Sequence, residues 1–182
     1  IIADYSQIEL RAAAAIADEN RMIEAFARGD DLHRATAAAV LDKPADQVTK
    51  EDRQPAKAVN FGLLFGQGTK GLVRYAKTTY GVTLDIENAD SIRRKFFETY
   101  PGLKRWHDRC WSDARTGSSE TRTRLGRRRT IPNEASEWER FTAQVNTPVQ
   151  GSCADGMKLA MIAVAGALPP SARIVATVHD EL

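Results

Sequence analysis

Apolar and polar positions alternate at the two ends of the chain and follow a helical period in between. Ile1 to Tyr5 opens on apolar residues and reads as a short core strand. Near the other end Ile174, Ala176 and Val178 alternate with polar residues, so Arg173 to His179 reads as a second strand, the expected partner of the first. The segment from Ser6 to Ala17 is rich in strong helix formers, with Ser6 as its cap and Glu9 closing a capping box. Further helices are predicted from Glu19 to Ala27, ended by Gly29, and from Leu32 to Leu41, stopped near Pro44. Thr49 opens the next. Pro55 leaves two arrangements for it: a kink near Glu51, or a regular helix that starts at Pro55 and leaves Arg53 just ahead of its mouth. Helices follow from Lys70 to Thr79, from Leu84 to Thr99, and from Pro101, whose helix carries Trp106, Cys110 and Trp111 as core residues. Thr116 to Thr130 reads as short strands and turns. Glu134 to Val145 and Gly151 to Ala167 are helical, separated by Pro148. Strand, many helices, strand is an α+β order: a small antiparallel sheet with helices on one side.

Within the Thr49 helix, Arg53, Lys57, Phe61 and Phe65 recur every four residues and share one slowly rotating face, while Ala56, Val59 and Leu63 fall on another. Two cations followed by two aromatic rings suit a ligand with a polyanionic end and a flat end. A nucleotide has that shape. The plainer alternative is an amphipathic surface helix with a solvated charged edge.

The apolar and charged fractions, 42% and 27%, are those of a globular protein, and 182 residues suffice for one domain with a core. Net charge is only +2, so composition alone does not point to nucleic acid. The distribution does: five arginines lie between Arg122 and Arg129. Cys110 and Cys153 lack metal-ligand spacing and read as free buried thiols of a reducing cytoplasm. No apolar run reaches membrane-spanning length, and no membrane partner is expected. Residue 1 is not Met and both ends fall in predicted strands, so the chain is expected to be an internal piece of a longer protein.

Asp4-Tyr5-Ser6-Gln7-Ile8-Glu9-Leu10-Arg11, the stretch from Arg53 to Gly66 with Asn60-Phe61-Gly62 at its centre, and Val178-His179-Asp180-Glu181 resemble, in order, motifs A, B and C of the family A DNA polymerases. Asp30 to His33, Leu125 to Arg129 and Asn146 to Ser152 also resemble that family, so the likeness spans essentially the whole chain. The resemblance implies a partial palm at residues 1–30 (motif A) and 116–182 (motif C). It implies mostly helical fingers, with motif B, at 31–115, and a thumb and upstream domains outside the chain. It also implies a monomer that binds primer-template DNA and a dNTP.

Asp4 and Asp180 end predicted neighbouring strands, so both carboxylates can reach one site, where a hard cation such as Mg²⁺ would relieve their repulsion. The resemblance makes them ligands of two Mg²⁺ ions, with the Tyr5 carbonyl as a third protein ligand. In that chemistry a primer 3′-OH attacks the α-phosphate and pyrophosphate leaves. Arg53 and Lys57 would hold the triphosphate, and the lysine is also implied to protonate the leaving group. His33 matches a phosphate contact. Glu9 matches a gate against the 2′-OH; alone it reads as a capping acid. Phe61 would pack on sugar and base. Phe65 stands where the family more often has Tyr; its ring can still stack on the template base. Asn146, Gln150 and His179 are implied to touch the primer-template, the first two in the minor groove. Arg127, Arg128 and Arg129 would contact phosphates, or else form a solvated basic turn. Glu181 takes a supporting place beside the metal ligands. Two rival readings are a single-subunit RNA polymerase and a catalytically silent nucleic-acid-binding module. Glu9 and Asn60-Phe61-Gly62 speak against the first, both aspartates against the second.

Overall fold

Short polar side chains cap the starts of four of the nine α-helices. In the computed structural model, which describes residues 1–182, α1 spans Ile8–Ala17, α2 Asn20–Arg28, α3 Leu32–Leu41, α4 Lys50–Leu64 and α5 Thr69–Tyr80. They are followed by α6 at Ile86–Thr99, α7 at Pro101–Arg115, β1 at Glu120–Arg122, β2 at Arg128–Thr130, α8 at Glu137–Asn146 and α9 at Ser152–Ala167. Asp31 caps α3 by accepting from the His33 and Arg34 amides, and Asp85 caps α6 through the Asn88 amide. Thr49 with Asp52 and Ser136 with Glu139 form complete capping boxes at α4 and α8.

The α4 boundary settles the question raised by Pro55. The helix runs from Lys50 with Pro55 inside it, so Arg53 lies within the helix and not at its mouth. The Ser6 expectation fails. Gln7, in a left-handed conformation, precedes α1, no side chain caps the helix, and Glu9 takes no part in a capping box. Its carboxyl is therefore left for other contacts.

The α+β class holds, but its sheet is not the expected one. The only ladder is the hairpin β1–β2, antiparallel with Thr121 opposite Arg129. Ile1 and Ile2 are exposed, so the first segment is not a core strand, and Arg173 to Val178 forms no regular strand. Residues 3–5 pair instead with residues 180–182: Ala3 and Leu182 exchange backbone bonds of 3.0 and 2.9 Å, and Asp4 is bridged to Glu181. Alternation at 174–178 located an extended segment one turn too early.

The expected break at Pro148 is also absent. Thr147–Gly151 forms a π-helical turn that joins α8 to α9 through right-handed residues throughout. The β1–β2 hairpin packs on this turn. A Cβ on Gly151 would lie 2.6 Å from the Thr123 side chain, so only glycine allows that approach.

One core unites α1, α4, α6, α7, α8 and the π turn around Leu10, Leu63, Phe96, Leu103, Phe141 and Val149. Trp106 and Cys110 are buried in it as expected, and Trp111 stacks on Phe141 with centroids 4.2 Å apart. Gly66 follows α4 at φ +86°, and a Cβ there would meet the Phe141 ring at 2.7 Å. The turn after motif B is thereby pressed onto α8. No helix is long and apolar enough to cross a membrane.

Candidate active site

The four-residue face of α4 is present as the spacing predicted. Arg53, Lys57, Phe61 and Phe65 are all half-buried, while Ala56, Val59 and Leu63 are sealed in the interior. Lys57 makes no ion pair; Arg53 makes one, its Nε lying 2.5 Å from a carboxylate oxygen of Asp31. The other oxygen of Asp31 caps α3, so one carboxylate joins the start of α3 to the cationic face of α4. Hydrogen bonds from Arg53 and from the α3 amides hold the Asp31 pKa below the usual carboxylate range against the opposing effect of burial.

His33 sits beside this face and is buried. Its ring centroid is 5.9 Å from that of Phe61, and its Nδ1 is 2.9 Å from Nδ2 of Asn60. Burial, with help from the nearby Arg53 and Lys57 charges and against Asp31, lowers its pKa to about 4. The imidazole is therefore neutral at pH 7.

A second group of residues surrounds a cavity of about 350 Å³ lined by Ile8, Glu9, Gln150, Cys153, Ala154, Met157, His179 and Asp180. Glu9 reaches it from the first turn of α1, Gln150 from the π turn, Cys153 and Met157 from α9, and His179 from a turn in which it takes φ +59°. Burial raises the Glu9 pKa; the neighbouring Gln150 amide and His179 pull it down, and the Asp180 charge adds to the rise. Cys153 is only half-buried, unlike Cys110, and burial together with the Glu9 and Asp180 charges pushes its thiol up to about 11.

The pairing of residues 3–5 with 180–182 brings Asp4 and Asp180 together in backbone terms. Its register sets Asp4 opposite Glu181, while the Tyr5 amide donates to the Asp180 carbonyl at 3.3 Å. Glu181 is thus a closer companion of Asp4 than the sequence suggested. Nothing in the protein donates to the Tyr5 carbonyl. Carboxylates and a free carbonyl are all-oxygen donors, which fits a hard divalent cation. No three His, Cys, Asp or Glu side chains converge into a closed cage.

The hairpin arginines are exposed, yet each touches the protein. Arg127 donates to Asp155 at 2.7 Å and to the Gly151 carbonyl, Arg129 to Thr147, and Arg128 lies 3.5 Å from Glu120. Asn146 is half-buried, its amide bonded back to the Thr142 carbonyl at 2.7 Å.

Compared with known proteins, residues 1–182 in full match the model of DNA polymerase family A. The chain belongs to DNA polymerase family A. It is 42% identical over 186 residues to DNA polymerase I of Aquifex aeolicus (strain VF5), covering all of this chain and 31% of that protein. It is 38% identical to DNA polymerase I of Bacillus caldotenax, covering 99% of this chain and 21% of that one. Among solved structures, the POL domain of Pol1 from M. smegmatis, in complex with DNA primer-template and dNTP, superposes with a TM-score of 0.86 at 36% identity. That match covers 99% of this chain and 32% of the other. The family A chain thus spans between about a fifth and a third of these relatives.

Sequence reasoning missed several residues of these two groups. Asp31 was singled out for no role of its own, although its place before an apolar helix and after a second aspartate was a signal. Asn60 is a polar residue on the buried side of α4, between Val59 and Leu63, and that alone marked it as needing a partner. Asp155, Cys153 and Met157 gave no local signal.

Proposed function

We propose that the chain supplies the fingers and part of the palm of a template-directed DNA polymerase, with residues 31–115 as fingers and 1–30 and 116–182 as palm. The observation that carries this reading is the cavity on which Glu9, Gln150, His179 and Asp180 converge from motif A, the π turn and motif C. Family membership and the likeness to a domain holding primer-template and dNTP support it.

Asp4, Asp180 and the Tyr5 carbonyl would hold two Mg²⁺ ions, with Glu181 supporting Asp4 from across the bridge. Bound there, the ions would sharpen the primer 3′-OH as a nucleophile and stabilise the leaving oxygen. Lys57 and Arg53 hold the triphosphate and neutralise charge on the departing pyrophosphate; Lys57 is also proposed to deliver a proton to it. His33 contacts a phosphate from α3. Phe61 packs against sugar and base, and Phe65 stacks on the template base. Glu9 lies under the incoming sugar and excludes a 2′-OH, because its carboxyl would have to be desolvated further to admit one. Asn146, Gln150 and His179 follow the primer-template near the terminus, and Arg127, Arg128 and Arg129 hold its phosphates. Of the three, Arg127 is most committed to the protein, through Asp155 and Gly151. The protein works as a monomer, and since the chain covers so little of its relatives, it is proposed not to extend primers efficiently by itself.

The test replaces the matching segment of a full-length DNA polymerase I with residues 1–182 and measures primer extension with dNTPs. Template-directed extension is expected with the wild-type segment and its loss with Asp180→Ala. A grafted enzyme that binds primer-template but never extends it, whichever divalent cation is supplied, would refute the reading.

A further inference from the structure

Four buried polar side chains, Tyr100, Thr36, Asn60 and His33, are joined in a single file. Tyr100 Oη lies 2.8 Å from Thr36 Oγ1, Thr36 Oγ1 lies 2.9 Å from Asn60 Oδ1, and Asn60 Nδ2 lies 2.9 Å from His33 Nδ1. Thr36 and Asn60 are fully enclosed; Tyr100 is 3% and His33 4% exposed. The file runs from the C-terminal end of α6, through α3 and α4, to the cationic face beside Arg53.

Its protons can run in only one direction. An amide oxygen accepts and does not donate, so the Thr36 hydroxyl gives its proton to Asn60 Oδ1. Tyr100 must then be the donor to Thr36. Asn60 Nδ2 carries only protons, so Nδ1 of His33 meets it as a lone pair. Turning the Asn60 amide over makes its Nδ2 donate to Thr36, and of the Thr36 and Tyr100 hydroxyl protons one is then left without an acceptor in the file. A buried stranded donor is costly, so the first arrangement is selected.

We propose that Tyr100, Thr36 and Asn60 are positioning residues that fix His33 in the tautomer with its proton on Nε2, so that the ring meets a phosphate oxygen as a neutral donor and not as a cation. The phosphate half of this statement rests on the nucleotide site proposed above; the tautomer half stands on the hydrogen bonds alone. The groups that face the ring agree with it. Arg53 and Lys57 both lie on the neighbouring helix face, Asp31 is occupied by Arg53 and the α3 amides, and the Phe61 ring flanks the imidazole. A third positive charge there would be repelled, and the pKa of about 4 keeps it from forming. Two permanent cations attract the triphosphate, and the imidazole contributes direction. A neutral Nε2–H has one bond to give, and its line is set by a file of side chains anchored at the end of α6.

The experiment is nitrogen NMR of the imidazoles in the ¹⁵N-labelled 182-residue chain, without nucleotide, from pH 8 to pH 5. There are three histidines, and His33 is assigned by the loss of its signals in His33→Gln. The expected result is an unprotonated Nδ1 and a protonated Nε2 across the whole range. Thr36→Ser keeps a hydroxyl and should preserve this pattern. Thr36→Val keeps the shape and removes the relay, and should give a mixture of the two tautomers with the fold retained by circular dichroism. Inorganic tripolyphosphate should shift the Nε2 signal in wild type and Thr36→Ser and shift it less in Thr36→Val. A proton on Nδ1, an imidazolium at pH 7, or a Thr36→Val spectrum like wild type would each overturn the relay. If the tautomer is as stated but tripolyphosphate moves nothing, the phosphate contact fails, and with it the nucleotide-site reading, while the relay stands.

Discussion

His33 and Asp180 belong to one proposed site, and their surroundings differ in kind. His33 is 4% exposed, tied to Asn60, flanked by Phe61 and set beside an arginine already paired with Asp31. Every one of those contacts comes from α3 or α4, which follow one another in the chain. Asp180 lies on a turn, its side chain bonded only to His179, and its place depends on backbone bonds between residues near opposite ends of the sequence. The proposed nucleotide side is therefore assembled before any ligand arrives, with Arg53 and Asn60 bonded within the protein and Lys57 and His33 Nε2 left open. The proposed metal side keeps its carboxylates near solvent, where like charges are cheap to hold apart. One half supplies geometry in advance; the other supplies charge that waits for a partner.

The largest expected effect tests the waiting half. In the grafted polymerase, Asp4→Ala or Asp180→Ala should lower the extension rate roughly a thousandfold or more, since several kcal/mol of charge stabilisation go with the ligand. Primer-template binding by gel shift should persist. Near-normal extension by either variant would remove the metal side from the mechanism.

Next comes the assembled half. Lys57→Ala should cut the turnover rate about a hundredfold or more, with Arg53→Ala also weakening dNTP binding. Because Arg53 is paired and Lys57 is not, Asp31→Asn should alter the Arg53 contribution and leave that of Lys57 alone. Steady-state kinetics on the three variants would show whether the two cations act separately. Wild-type constants for both alanine variants would mean that α4 is not the nucleotide site.

Stability against pH sharpens the same contrast without any substrate. His33 and His107 are each lowered from 6.5 to about 4, both chiefly by burial. Below pH 6.5 the unfolded chain takes up protons that the folded chain refuses, so stability falls as pH drops from about 6.5 to about 4 and levels off below. The loss is on the order of 3 kcal/mol per histidine at most. Urea unfolding at pH 7 and pH 4.5 measures it, and His33→Gln should flatten part of the slope. A slope unchanged in that variant would show that His33 is not held neutral by the fold.

The smallest effect lies between the halves. Glu9→Ala should raise rNTP use relative to dNTP about tenfold, a change near 1.4 kcal/mol in discrimination. Phe61→Tyr should raise ddNTP use with little change for dNTP. Competitive incorporation reads both. An unchanged rNTP/dNTP ratio in Glu9→Ala would leave the carboxyl as a mere liner of the cavity.

Legibility in the sequence divided along the same line. The Leu32–Leu41 helix, the Thr49 cap and the four-residue face of α4 were readable because each depends on residues within a few turns. Glu9 was misread as a cap because Ser6 and Glu9 have the right spacing; the chain turns left-handed at Gln7 and starts the helix later. The end pairing was placed one segment early because alternation marks an extended stretch and says nothing of its partner. The Arg53–Asp31 and Arg127–Asp155 pairs join residues whose neighbourhood is decided by packing, and no local pattern announces them.

The π turn at Thr147–Gly151 carries a consequence for how this segment can change in evolution. A helix advances about 100° per residue, and a π turn is what one extra residue looks like when the flanking helices refuse to shift. Deleting a single residue from it would let α8 run straight into α9, but every side chain beyond would swing by that angle. Gln150 would leave the cavity, Cys153 and Met157 would turn away from Glu9, and Asp155 would lose Arg127. Substitutions on either helix can be accepted one at a time. A change of length here is accepted only with a compensating change of length nearby, so the turn acts as a frame marker, fixing the reading phase of α9 against the rest of the molecule.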